Sequence, residues 1–219
     1  MPTVLSKFTK NYVTRTHIDK KTSHTIPYLE NIYYEKCAEV MQQGFGITNY
    51  ENEKPFISTY GMSSCIGIVG YSEKYKLAFI LHLDNKNIIF DKNMGKIYFN
   101  IRKAIKNNSD GIILNTQLFG AFQTYNQEFV NYIYSQINKY NNYYKNLECP
   151  IKINIIKNNI GTSNNSSSIC INTINGKLYK YDPRKGNLNT VNTKMLMFEL
   201  RILSNLYTNK PKLYIDYKI

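Results

Sequence analysis

"FISTYGMSSCIGIVGYSEKYKLAFILHLD", residues 56–84, holds three short apolar runs separated by turn residues. FIST, CIGIVGY and KLAFILHLD each have the length of a strand, and Gly, Ser, Glu and Lys bound them. The last two read as a hairpin turning at SEKY. With Glu73 and Lys74 as a two-residue loop, Val69 pairs with Ala78, Gly67 with Ile80 and Cys65 with His82. Directly opposed residues share a face, with Cβ atoms about 4.5–5.5 Å apart. One face carries Cys65, Gly67, Val69, Ala78, Ile80 and His82; the other carries Ile66, Ile68, Leu77, Phe79 and Leu81. A hairpin apolar on both faces belongs inside a layered structure.

Outward from the hairpin the pattern is mixed. Upstream, PYLENIYYEKCAEVMQQ places Leu29, Ile32, Tyr33, Cys37 and Val40 at helical spacing, with Gly44 and Gly46 ending the run. This predicts a helix over Pro27–Gln43 and a packed, inert Cys37 on its apolar face. Downstream, IYFNIRKAIKNN predicts a helix with Ile97, Phe99, Ile101, Ala104 and Ile105 partly periodic. GIILNTQLF predicts a buried strand, and NQEFVNYIYSQINKYNNYYK a long amphipathic helix. Strands follow at IKINIIK, SSICINTI and KLYKYD, with TING before Lys177 as a hairpin turn. TKMLMFELRILSNLY predicts a last helix, and KLYIDY a terminal strand. The polar run at residues 158–168, NNIGTSNNSSS, predicts a mobile loop or a flap near a site. Residues 1–24 read as irregular. The expected architecture is a single α/β domain of the α+β type, with layered mixed sheets forming a sandwich flanked by helices.

The 219 residues, 42% of them hydrophobic, suffice for one sizeable core. A formal charge of +13 raises nucleic acid, anionic membrane or an acidic protein as partners. The lysines are scattered, however, and there is neither zinc-finger spacing nor a Gly-rich phosphate loop. That argues for a solvated surface and against specific nucleic-acid binding. No stretch has the roughly 18 apolar residues of a membrane span, and the N-terminus lacks an apolar signal core. A soluble chain is expected, cytoplasmic or delivered into a host cytoplasm without a cleaved signal peptide. Cys37, Cys65, Cys149 and Cys170 have no metal-site spacing, so no metal is expected and reduced thiols are the default. Cys149 and Cys170 fall at or inside strands, where an inert thiol is the ordinary outcome.

Cys65 differs because a histidine faces it. A free thiol with a pKa near ~8.5 is mostly protonated at neutral pH. An adjacent imidazole takes that proton and holds a thiolate–imidazolium pair, the activated nucleophile of acyl transfer. The base needs an orienting partner, and Thr59 at the end of the preceding run is the nearest polar candidate. The turn Gly61-Met62-Ser63-Ser64 sets backbone N–H groups beside the nucleophile, as an oxyanion hole requires. From the residues alone, a buried inert Cys65 near a core histidine stays open beside the catalytic reading.

These residues resemble a known family. The stretch TYGMSSCIGIVGY…KLAFILHLD is similar to the chemoreceptor glutamine deamidase CheD, which carries a Thr, a Gly-Ser-Cys turn and a His on the following strand. The Thr-to-Cys and Cys-to-His spacings, six and seventeen, match it. The cytotoxic necrotizing factor deamidase domain and Burkholderia lethal factor share the Cys–His arrangement. LNTQLFGAF resembles the family's Phe-Gly-Gly-Ala segment, with Ala121 and Phe122 departing from it. SSICINTINGKLYKYD resembles its late hairpin, and the likeness covers residues 56–183. The turn reads Met62-Ser63-Ser64-Cys65 where the family usually has a glycine. The resemblance implies Cys65 as nucleophile, His82 as base and Thr59 as the residue orienting it. It also implies hydrolysis of a glutamine side chain on a partner or host protein, with no cofactor. The organisation it implies is an N-terminal extension with one helix over residues 1–50 and a deamidase domain over 51–219. A toxin- or effector-like monomer is the expectation. A catalytically silent binding module of the same fold and a thiol peptidase or other hydrolase are the alternatives.

Overall fold

The structure is a computed structural model that describes residues 26–84, 90–105, 110–121, 127–161, 168–186 and 213–215. The irregular segment expected at residues 1–24 and the helix expected at 193–207 lie outside the described residues, as does most of the polar loop. The described strands form two sheets. The smaller has the order β1-β3-β8-β9: Cys37–Val40, Phe56–Thr59, Ile169–Asn172 and Leu178–Lys180. The larger has the order β10-β2-β5-β4-β6-β7: Leu213–Ile215, Phe45–Asn49, Leu77–Leu83, Ile66–Ser72, Ile112–Gly120 and Ile151–Asn158. Both are mixed, as β1 with β3 and β6 with β7 are parallel while β4 with β5 is antiparallel. Helices α1 (Phe90–Ala104) and α2 (Gln127–Lys145) complete a single α+β domain.

The hairpin β4–β5 sits where its two apolar faces require. Ile66, Ile68, Leu77, Phe79 and Leu81 join Ile97, Ile101, Val130 and Ile133 in a core beneath the helices. Val69, Ala78 and Ile80 face the other way, into a second core with Ile57, Ile169 and Ile171 of the smaller sheet. Nearly every side chain of β5 is therefore out of water, as expected for a central strand covered on both sides.

The register departs from the expected one by two residues. Gly67 pairs with His82, Val69 with Ile80 and Ser72 with Leu77. The loop holds four residues, Glu73–Lys76, because Tyr75 turns out of the ladder and donates its hydroxyl to the Gly111 carbonyl at 3.1 Å. Lys76 closes the loop in the left-handed region at φ 45°. A slip of two preserves every face assignment, whereas a slip of one would have inverted them all. Cys65 is consequently a diagonal, not a direct, neighbour of His82.

The helix expected over Pro27–Gln43 is not formed. A 3₁₀ turn runs Asn31–Lys36 and gives way to β1 at Cys37. Ile32, which helical spacing would bury, is 69% exposed. The residues Cys37–Val40 find a partner in β3, whose parallel pairing is invisible to local periodicity. Gly44 and Gly46 end no helix, and Gly46 lies within the unanticipated strand β2. Strands β1 and β2 bring Val40, Phe45 and Ile47 into the two cores, so residues 37–49 pack as part of the same domain. Among the described residues the downstream strands and α2 fall where the sequence places them, whereas α1 begins at Phe90, ahead of the start expected at Ile97, with Tyr98 buried and Phe99 53% exposed.

Helix α2 also closes an edge of the larger sheet. Asn141 accepts from the Ile153 N–H at 2.8 Å and donates to the Ile153 carbonyl at 2.9 Å. This one side chain pairs with edge-strand backbone as a further strand would.

Candidate active site

The two sheets meet at Thr59, the last residue of β3. Its hydroxyl donates to the Val40 carbonyl at 2.8 Å, leaving the oxygen as an acceptor. That oxygen lies 2.7 Å from His82 Nδ1. Since the single hydroxyl proton is committed to Val40, His82 must donate through Nδ1–H. The neutral ring then carries its lone pair on Nε2, a buried nitrogen with no hydrogen-bond partner among the described residues. Thr59 therefore sets the tautomer as well as the ring's orientation.

Cys65 lies one residue before β4, and the carbonyl end of β6 clamps its turn. The Ala121 N–H points at both the Cys65 and Met62 carbonyls, at 2.8 and 3.1 Å. Gly120 is in the left-handed region at φ 97°, and a Cβ there would lie 2.1 Å from the Cys65 oxygen. Only glycine permits that approach. Ala121 follows at φ 53°, where a side chain is strained. The LFGA segment thus shapes the Met62–Cys65 turn from below. Met62 is fully buried, and its thioether occupies the space above Gly67, directly across from His82. Gly61 is exposed at φ 74°, and Ser63 and Ser64 are half-buried. Ser64 Oγ is 3.9 Å from Cys65 Sγ.

Two further residues complete the cluster, and the sequence reading missed both. Gln42 Nε2 lies 3.6 Å from Cys65 Sγ and 3.2 Å from Asp84 Oδ2. Gln42 comes from the β1–β2 turn, and Asp84 follows β5 opposite Cys65, one step beyond the last ladder pair, Ile66 with Leu83. Asp84 ends the KLAFILHLD run and its place across from Cys65 was legible once the register was known. Gln42 had no such signal, because the helix expected there would have carried it elsewhere.

The protonation state differs from the expected ion pair. Burial, with a smaller contribution from the Asp84 charge, pushes the Cys65 thiol up to about 11, against a weak opposing hydrogen bond from Ser64. Burial likewise holds His82 down to about 4, although Asp84 works in the other direction. The resting site is a neutral thiol beside a neutral imidazole, with no hydrogen bond between Cys65 and His82 Nε2. A thiolate at this site therefore needs a proton acceptor at the moment it forms, and the bare His82 Nε2 is a group able to take that proton.

The other cysteines are packing groups. Cys37 and Cys170 approach to 3.7 Å between sulfurs on the outer face of the smaller sheet. They sit on strands separated by β3, and both are free thiols. Cys149 is fully buried before β7. A groove of about 510 Å³ lined by Ile113, Asn138, Asn142, Lys145 and Lys152 lies at the opposite end of β6 from Gly120, remote from this cluster.

No family model matches the chain. It is 25% identical over 150 residues to an uncharacterized protein of Acanthamoeba polyphaga mimivirus. The alignment covers 61% of this chain and 53% of that protein, so the chain matches about half of the viral protein's length. No helix among the described residues is long and apolar enough to cross a membrane.

Proposed function

We propose that the chain is a cysteine-dependent protein glutamine deamidase acting on a partner or host protein, toxin- or effector-like in character. The observation that carries this reading is the buried Thr59–His82 pair. It presents an unpartnered Nε2 lone pair on the strand next to Cys65, on the face that Cys65 shares. A histidine oriented by a hydroxyl, on the face it shares with a thiol, is the kind of arrangement that nucleophilic acyl transfer uses. The spacing that resembles the CheD-like deamidases adds the substrate class.

In the proposed reaction His82 Nε2 takes the thiol proton as Cys65 Sγ bonds to the side-chain carboxamide carbon of a glutamine. The tetrahedral oxyanion collapses, the C–N bond breaks, and His82 returns the proton so that ammonia leaves. A thioester remains. Water then adds to it, giving its proton to His82, and the C–S bond breaks to release glutamate and the thiol. The sum is Gln plus water giving Glu plus ammonia. Asp84 sits where it offsets the imidazolium charge that exists during each transfer. The product carries a new negative charge, enough to switch a partner's interactions.

The test is peptide mass mapping of a host-cell lysate after incubation with the wild-type protein and with Cys65→Ala. The reading expects glutamines that gain one dalton only with wild type; chain cleavage instead would indicate a peptidase, and no Cys65-dependent change would end the proposal. The raised thiol and the absent Cys65–His82 hydrogen bond favour a second reading, a silent binding module of the same fold. In that case Cys65→Ala would leave its partners in a pull-down unchanged while no mass shift appears.

A further inference from the structure

We infer that Gln42 supplies the side-chain donor of the oxyanion hole, its Nε2–H holding the oxygen that becomes negative when Cys65 attacks a carbonyl carbon. The inference rests on the acyl-transfer reading of Cys65 and adds a catalytic residue to it.

Three features place Gln42 in this role. First, its backbone is held against the base. The Met41–Gly44 turn closes through Gly44 N–H donating to the Met41 carbonyl at 2.9 Å. The Gly44 carbonyl accepts from the His82 N–H at 2.9 Å, so the turn that carries Gln42 is anchored to the His82 backbone. Gln43 pays for this tight turn with a left-handed φ of 62°, and such outliers persist where the surroundings over-determine them.

Second, the orientation of the amide is dictated. Asp84 Oδ2 lies 3.2 Å from the Gln42 terminal group, and a carboxylate only accepts. The atom facing it is therefore the NH₂, with one hydrogen given to Asp84 and the second left for the thiol side. Third, that nitrogen is 3.6 Å from Cys65 Sγ. The oxyanion forms one bond beyond the new S–C bond, which brings it within the roughly 3 Å that an oxyanion donor needs. A neutral amide suits the task. It stabilises a transient negative oxygen, yet does little for a resting thiolate, in keeping with a thiol that stays protonated until substrate arrives.

Two reagents that modify Cys65 separate this role from that of a simple strut. p-Nitrophenyl acetate acylates a thiol through a tetrahedral oxyanion, whereas iodoacetamide alkylates it without one. Wild type and Gln42→Met, which keeps side-chain bulk and removes the donor, are compared at mildly alkaline pH, with Cys65 modification followed by peptide mass. Acylation should fall by about 10²–10³-fold in the variant, the scale set by loss of one oxyanion donor, while alkylation stays within a few-fold. Acylation and alkylation falling together, or neither falling, would overturn the assignment, as would a wild-type Cys65 that is never acylated. Ammonia release from benzyloxycarbonyl-Gln-Gly by the wild-type preparation tests the deamidase reading separately. Ammonia release with no selective acylation loss in Gln42→Met removes Gln42 alone. A selective loss without ammonia release supports Gln42 and removes glutamine as the substrate.

Discussion

Thr59 and His82 join the two sheets through a 2.7 Å hydrogen bond between Oγ1 and Nδ1, at the face the hairpin turns toward the smaller sheet. Because Thr59 donates to Val40, the bond has a direction, and the direction leaves Nε2 as the unprotonated nitrogen. Nitrogen NMR of His82 should accordingly show Nδ1 protonated and Nε2 bare at neutral pH. Thr59→Val strands the Nδ1–H and the Val40 carbonyl, costing about 1–3 kcal/mol and any His82-dependent activity. Thr59→Ser should keep both. An Nε2-protonated ring in the wild type would contradict the assignment.

Acid stability follows from the buried imidazole. His82 is held near 4 in the folded chain, against about 6.5 unfolded. The unfolded state therefore binds more protons below neutrality, and stability is lost as pH falls from about 6.5 toward 4. Between pH 7 and 5 the loss from this group is about 2 kcal/mol. Urea denaturation at the two pH values should show that slope in wild type. His82→Gln should flatten it by that amount; an unchanged slope would mean the ring is not buried neutral.

Alkylation of Cys65 should be slow at neutral pH and climb about tenfold per pH unit up to its titration near 11. Asp84→Asn should lower the midpoint, because the Asp84 charge contributes to raising it. A midpoint at the ordinary thiol value in the native protein would show that burial does not govern the sulfur.

The Gly120–Ala121 pair makes opposite predictions at adjacent positions. Gly120→Ala forces a Cβ onto the Cys65 carbonyl in a left-handed backbone, and should cost more than about 2 kcal/mol. Ala121→Gly relieves a left-handed alanine and should stabilise by about 0.5–1 kcal/mol. Thermal melts of the two variants check both signs. A stable Gly120→Ala would mean that the Met62–Cys65 turn has room to move.

At Asn141, replacement by Leu removes the side-chain partners of the Ile153 N–H and carbonyl and unpins α2 from β7. A loss of about 1–3 kcal/mol is expected from chemical denaturation. Hydrogen exchange should quicken at Ile153 ahead of its neighbours; uniform exchange across β7 would count against the edge-pinning role.

Much of this was legible in local pattern. The long helix α2 shows its apolar spacing through Val130, Ile133 and Ile137, and all three are buried. The face assignment of the β4–β5 hairpin survived a wrong register, because strand side chains alternate with a period of two and the error was also two. Thr59, Cys65 and His82 stand out because polar and nucleophilic residues interrupt apolar runs at matching ends of neighbouring strands.

Tertiary structure decided the rest, and in each case the deciding partner is distant in sequence. Residues Cys37–Val40 are a strand because β3 lies beside them, although their own spacing is helical. The hairpin register follows Tyr75, which leaves the ladder to reach Gly111. Gln42 enters the site only through that refolded N-terminal segment, and Asp84 only through the shifted register. Spacing brought a thiol and an imidazole to one face. Burial between two sheets, a property of the assembled cores, set which of their atoms hold protons.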